Sequence, residues 1–167
     1  MDTFIFILNI ISYVSSFIVL ISIVAGVILW VKGILPVLLR LGNGLSRKKI
    51  VIFAKNDNSS SLKNLLVDSG LFSKNNIYSV TSANDIGIAE NKLVYLVFWH
   101  DWQDQIDNIL DQMKDRTALI IYAPQELGFI PKESMAKLNE KRNVMVTNFR
   151  GRLLNDITTS IITTSYK

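Results

Sequence analysis

The sequence predicts an α/β protein: an N-terminal transmembrane helix, a short basic connector, and a small doubly wound, flavodoxin- or Rossmann-like domain built on five parallel strands. Three observations carry this. Residues 3–31 contain no charged side chain, Lys32, Arg40, Arg47, Lys48 and Lys49 follow with no acidic residue among them, and beyond Lys49 short apolar runs alternate with amphipathic stretches. Near-continuous apolar runs are what strands of a parallel sheet require when helices cover both faces.

An uncharged run of this length, rising about 1.5 Å per residue as a helix, crosses a hydrocarbon core of about 30 Å with room for tilt. The basic residues behind it place the remainder of the chain on the cytoplasmic side and leave Met1 and Asp2 outside. A cleaved signal peptide would carry basic charge before a shorter apolar core and a small-residue cleavage site after it. The charge order here is the reverse, so residues 1–31 are expected to be a retained single-pass anchor. Asn9, Ser12, Ser15, Ser16, Ser22 and Gly26 fall largely on one half of its helical wheel. Small, weakly polar residues let helices approach closely and hydrogen-bond, which suits either a dimerisation face or a ring of helices lining a conduit. In the connector, residues 32–48, Pro36 is expected to bend the helix and the Gly42-Asn43-Gly44 triplet to end it. This segment is either a joint that couples domain to anchor or a passive linker.

Residues 49–167 form one cytosolic domain. Five strands are expected at residues 49–54, 77–80, 93–99, 118–122 and 144–147, from their length, apolar content and β-branched residues. Helices are expected at 60–69, through Leu62, Leu65 and Leu66; at 104–114, through Ile106, Ile109, Leu110 and Met113; at 132–141; and at 152–166. A short turn at 85–90 stands in for the second crossover. For five such units the order 2-1-3-4-5 is the natural choice.

Net charge is +4, but of 18 Lys and Arg five precede Ile50, and the remaining 13 meet 13 of the 14 Asp and Glu. The basic balance therefore reflects membrane topology and gives no broad surface for duplex DNA. With no cysteine, thiolate zinc sites, disulfides and cysteine nucleophiles are excluded. No cofactor and no metal is expected.

Ligands of such sheets gather beyond the carboxyl ends of the strands, which limits the search to five loops. After the first strand, Lys55, Asn58, Ser59 and Ser60 offer a helix start that either is simply capped by Asn58 or a serine, or holds a phosphate beside Lys55. After the third, Trp99, His100 and Trp102 offer two indoles for stacking a base, or ordinary packing; His100 beside Asp101 also suggests a general base, although adjacent side chains seldom face one another. Tyr122 and Gln125 follow the fourth strand. After the fifth, Asn148, Arg150 and Arg152 lie in Asn-Phe-Arg-Gly-Arg-Leu-Leu, where two arginines flank a glycine at a helix start; there they grip an anion, or one of them makes a structural ion pair.

Walker, dinucleotide-fingerprint, nucleophile-elbow and zinc-protease motifs are all missing. A receiver domain fits poorly, because no acidic pair ends the first strand and no lysine follows the fifth. The single span, the glycine-containing joint and the Asn148 to Leu154 turn resemble compact single-pass membrane effectors of bacterial nucleotide-signalled phage defence, similar to the Hailong membrane effector and to the CRISPR-associated oligoadenylate sensors with one span. The resemblance lies in whole-chain layout and rests on no diagnostic motif. It implies a non-enzymatic homo-oligomer, a tetramer or higher, in the bacterial inner membrane, with Asn9, Ser12, Ser16, Ser22 and Gly26 on its pore or oligomer face. An anionic nucleotide or short oligonucleotide would control it. A membrane-tethered NAD-cleaving enzyme of the TIR type, drawing its carboxylate from Glu90, Glu126 or Glu133, and a scaffold that recruits a cytosolic partner are the alternatives.

Overall fold

The structure is a computed structural model and describes residues 2–164. The chain divides into two compact units, Met1–Leu41 and Gly42–Lys167. Helix α1, Asp2–Arg47, makes up the first and runs on past its boundary. Its segment Asn9–Val37 has a mean hydropathy of 2.6 and no buried residue, so it has the length and composition to cross a membrane. The Gly42-Asn43-Gly44 triplet does not end the helix as the sequence suggested. Each glycine costs a helix only about 1 kcal/mol relative to alanine, and Leu and Arg around the triplet favour helix. Within the span, the Ser15 hydroxyl donates to the Ile11 carbonyl at 2.7 Å and that of Ser22 to Ile18 at 2.9 Å. These two donors are thus satisfied inside their own helix and owe nothing to a neighbouring one.

The second unit contains β1 (Ile50–Phe53), α2 (Asn56–Asp68), β2 (Ile77–Val80), β3 (Val94–Phe98), α3 (Trp99–Trp102), α4 (Ile106–Gln112), β4 (Ala118–Tyr122), α5 (Lys132–Glu140), β5 (Val144–Thr147) and α6 (Leu153–Thr164), with 3₁₀ turns between several of them. All strands are parallel, in the order β2-β1-β3-β4-β5, as the sequence predicts. β1, β3 and β4 are buried at every residue. Alternate side chains of these strands enter two cores. Ile52, Leu96 and Ile120 meet Leu62 and Leu66 of α2 and Leu153, Ile157 and Ile161 of α6 on one face. On the other, Phe53, Val97 and Ile121 meet Trp99, Trp102, Ile106, Ile109 and Leu138. Each such large apolar side chain contributes about 1.5–3 kcal/mol on burial, so the two cores together hold the sheet between its helical layers.

The observed helices depart from expectation at their starts. α2 begins at Asn56, inside a polar run with no apolar residue before Leu62, and the stretch after β3 breaks into α3, a 3₁₀ turn and α4 instead of one helix from Asp104. Trp99 opens α3 and does not belong to the strand.

Tyr95, in the middle of β3, donates its hydroxyl to the Ala89 carbonyl at 2.9 Å and the Gln112 carbonyl at 3.3 Å, tying both flanks of one layer to the sheet. Burial, and then the Glu90 carboxylate, push its pKa upward. The fold therefore favours the neutral phenol: this stabilisation is complete below the unfolded value and is lost as pH rises through the raised folded one. Tyr95→Phe is expected to cost about 1 kcal/mol at neutral pH and to flatten the alkaline loss of stability above about pH 10. Urea melts on either side of that pH check both effects.

Candidate functional site

In this topology the strand order reverses between β1 and β3, and the crevice beyond their carboxyl ends is the usual ligand site. Here the chain fills it. Asp101 on α3 reaches across to α2: its Oδ2 accepts from the Lys55 backbone N–H at 2.7 Å and from Asn58 Nδ2 at 3.1 Å, and its Oδ1 lies 3.3 Å from the same Nδ2. A helix start favours a negative charge, and this carboxylate supplies it from within. The phosphate suggested there is displaced by Asp101. Asn58 is not the cap either, because the helix starts two residues earlier and its amide is committed to Asp101. Ser59 is buried, Ser60 is exposed, and neither caps the helix.

The two indoles are not stacking platforms. Trp99 and Trp102 are each 1% exposed, and Trp102 sits edge-on to Phe53 with ring centroids 5.4 Å apart. Lys55 Nζ lies 5.9 Å above the Trp102 ring, so even the cation suggested for a phosphate covers this core. His100 is half-buried beside Phe98, with centroids 6.2 Å apart, and its Nδ1 is buried with no partner among the described residues. Since Asp101 is directed at Lys55 and Asn58, the adjacent histidine and aspartate form no acid–base pair.

The open site lies instead at β4 and β5. Tyr122 and Thr147 are register partners, and the Ala123 N–H donates to the Thr147 carbonyl at 2.9 Å, so the two chains leave the sheet together and then part. Between them is a cleft of about 500 Å³ lined by Tyr122, Pro124, Gln125, Glu126, Asn148, Phe149 and Arg150. That volume is within the range of small-molecule sites, about 300–1,000 Å³. Buried Tyr122, stacked edge-on to Phe98 at 5.7 Å, contributes to its base, and Phe149 offers a ring that is 55% exposed. Two 3₁₀ turns shape the rims. One closes through Leu127 N–H to the Pro124 carbonyl, and the other through Arg152 N–H to the Phe149 carbonyl, both at 3.1 Å. Gly128, after the first, has φ +103, which other residues rarely adopt.

The two arginines separate in role. Arg150 lines the cleft while its Nη2 donates to the Ser61 hydroxyl at 2.9 Å and the Ser61 carbonyl at 3.2 Å, linking the β5–α6 turn to α2. Arg152 is exposed and is not among the lining residues. Of the residues singled out in the sequence, Tyr122, Gln125, Asn148 and Arg150 are thus brought together, whereas Lys55, Asn58, Ser59, Ser60, Trp99, His100, Trp102 and Arg152 are not. Pro124, Glu126 and Phe149 complete the cleft. The signal for Phe149 was an apolar ring in an otherwise polar turn, between Asn148 and Arg150.

Comparison with protein-family models, with curated proteins and with solved structures gives no match for this chain.

Proposed function

We propose that the protein is a ligand-controlled, oligomeric membrane effector: α1 anchors it, and a nucleotide or short oligonucleotide held in the cleft between β4 and β5 governs whether the anchors assemble into an ion-conducting pore. Anti-phage defence in the bacterial inner membrane, with the sheet domain cytoplasmic, is the setting that fits such a layout. The observation that carries the proposal is the make-up of the cleft on a chain that also has a span-length apolar helix. Phe149 gives a face on which a base can stack, Gln125, Asn148 and Glu126 can accept from or donate to its edge, and Arg150 can take a phosphate. Glu126 favours a base with exocyclic N–H groups, because a carboxylate accepts only and opposes a second phosphate. No broad charge draws the ligand in, so affinity depends on a single cation and falls only moderately with salt.

The test is to purify the full chain in detergent, extract bound nucleotides and identify them by mass spectrometry, alongside Arg150→Ala. Removal of a charge-assisted contact is expected to lower affinity ten- to a hundredfold, about 1.5–3 kcal/mol, with little change in melting temperature since Arg150 is exposed. Equal losses of stability and binding would make Arg150 a brace for α2 through Ser61 and place the ligand elsewhere. Of the carboxylates suited to the NAD-cleaving alternative, Glu126 lines the cleft and Glu90 and Glu133 do not. NAD turnover that disappears in Glu126→Gln would favour that enzyme over a pore.

A further inference from the structure

In a parallel sheet all strands begin at one end, and here that end is basic. Lys48, Lys92, Arg116 and Arg142 each stand two positions before the first residue of β1, β3, β4 and β5, four consecutive neighbours in the sheet. With strands about 4.8 Å apart, the row is on the order of 14 Å long. Side chains converge along it. Lys49 Nζ and Lys92 Nζ lie 6.0 and 4.9 Å from the centroid of one ring, Tyr78, near the start of β2. Lys114 Nζ donates to Asn91 Oδ1 at 2.6 Å, joining the turn before β4 to the one before β3. Burial, and then the Arg116 guanidinium, hold Lys48 below the usual lysine pKa. Acidic neighbours do not neutralise the row. Within five positions of its four members the chain has nine Lys or Arg and four Asp or Glu. Lys137, one of the nine, is bound to Asp107 at 2.8 Å, whereas Glu90, Asp111, Asp115 and Glu140 make no ion pair among the described residues.

We propose that this end of the sheet rests on the headgroups of an anionic bilayer, the one in which α1 is anchored. Two features select a membrane over a nucleic acid. The chain enters the domain here, since α1 ends at Arg47 and β1 begins at Ile50. Residues 38–47, between the span-length segment and that entry, measure about 15 Å as helix, so the row is tethered within reach of the leaflet. A single-stranded nucleic acid would need rings on which to stack its bases, and Tyr78 already lies beneath Lys49 and Lys92. Each basic residue at an anionic surface strengthens attachment about fivefold, and the attraction fades beyond about 8–10 Å at ordinary salt. The inference rests on the reading of α1 as a membrane anchor, and it orients the cleft: with the amino end of the sheet on lipid, the loops after β4 and β5 at the opposite end stay open to ligands arriving from the cytosol.

The chain has no cysteine, so a single introduced thiol reports one position. Asn75→Cys, in the turn before β2, and Thr81→Cys, just past its last residue, put a fluorescent label at opposite ends of one strand, at positions that are both exposed. In the full chain reconstituted into vesicles, lipid carrying a nitroxide on its headgroup is expected to quench the label at Asn75→Cys several-fold more with phosphatidylglycerol present than in phosphatidylcholine alone, and to leave the label at Thr81→Cys nearly unquenched. Arg116→Gln together with Arg142→Gln, both at exposed positions, is expected to lower the ratio of docked to undocked domain about 25-fold, at about fivefold each, with an unchanged melting temperature. Salt at about 1 M, which shortens the screening length to about 3 Å, is expected to release the domain in the same way. Equal quenching in the two kinds of vesicle, or quenching at Thr81→Cys as strong as at Asn75→Cys, would overturn the proposal. So would an RNA homopolymer that binds the detergent-purified chain through the same two arginines while phosphatidylglycerol has no effect. A chain that stays out of both kinds of vesicle would overturn the anchor as well; one that inserts into both without responding to phosphatidylglycerol would leave the anchor standing and remove only the docking.

Discussion

Trp102→Ala is expected to destabilise the sheet domain by about 3–5 kcal/mol, a fall of roughly 10–25 °C in its melting temperature for a unit of this size. The indole is 1% exposed, packs edge-on against Phe53 at the end of β1, and lies beneath Lys55. Its removal opens a cavity under the turn that Asp101 holds, where neighbouring strands cannot collapse without breaking register. Trp102→Phe provides the counterpart. Trp102 Nε1 is buried without a partner among the described residues, and an unmet buried donor costs about 1–3 kcal/mol, so a ring without that donor offsets part of its lost volume. The phenylalanine variant is expected to lose less than half of what the alanine variant loses. Thermal and urea melts measure the pair; an alanine variant that melts normally but no longer binds nucleotide would return Trp102 to the ligand site.

The same residues explain how far the sequence was legible. Strands were readable almost to the residue because IVIF, VYLVF and ALIIY are apolar on both faces, and only a parallel sheet between two helical layers buries such runs completely. Trp99 and Trp102 stayed open between stacking a base and ordinary packing, because they flank the polar His100 and Asp101 just past a strand end, and the structure takes the packing alternative. In the fold a short helical turn rotates both indoles inward and leaves the polar pair toward the rim. The role of Asp101 depends on contacts with residues 43 and 46 positions away, which no local pattern encodes. That contact also explains why Asn56 to Ser59 is helical with no apolar residue to dock it. The cleft was half legible: crevice logic pointed to all five loops, the turn after β5 stood out through its paired arginines, and the polar residues after β4 and β5 were named, but so were residues of the β1–β3 crevice that Asp101 closes.

Deleting residues 1–46 is expected to convert a chain that resists carbonate extraction from membranes into one that remains in the soluble fraction without detergent. Between Asn9 and Val37, 17 of 29 residues are Leu, Ile, Val or Phe. At about −0.3 to −0.6 kcal/mol each in a span, they favour insertion by roughly 5–10 kcal/mol. One lysine at Val19 costs about 2.5–3.5 kcal/mol at the bilayer centre, so Val19→Lys should still fractionate with membranes, whereas lysines at Ile18, Val19 and Ile23 together cost about as much as the whole span gains and should release much of the chain. The graded response separates a true span from a helix that merely sticks to membranes, which a single charge would detach. Orientation follows from Lys32 and the basic residues behind it: protease added to the periplasmic face should leave the sheet domain uncut, and cutting there would reverse the topology. A full-length chain found soluble would remove the anchor, and with it the proposal that ligand binding in the β4–β5 cleft controls a membrane assembly.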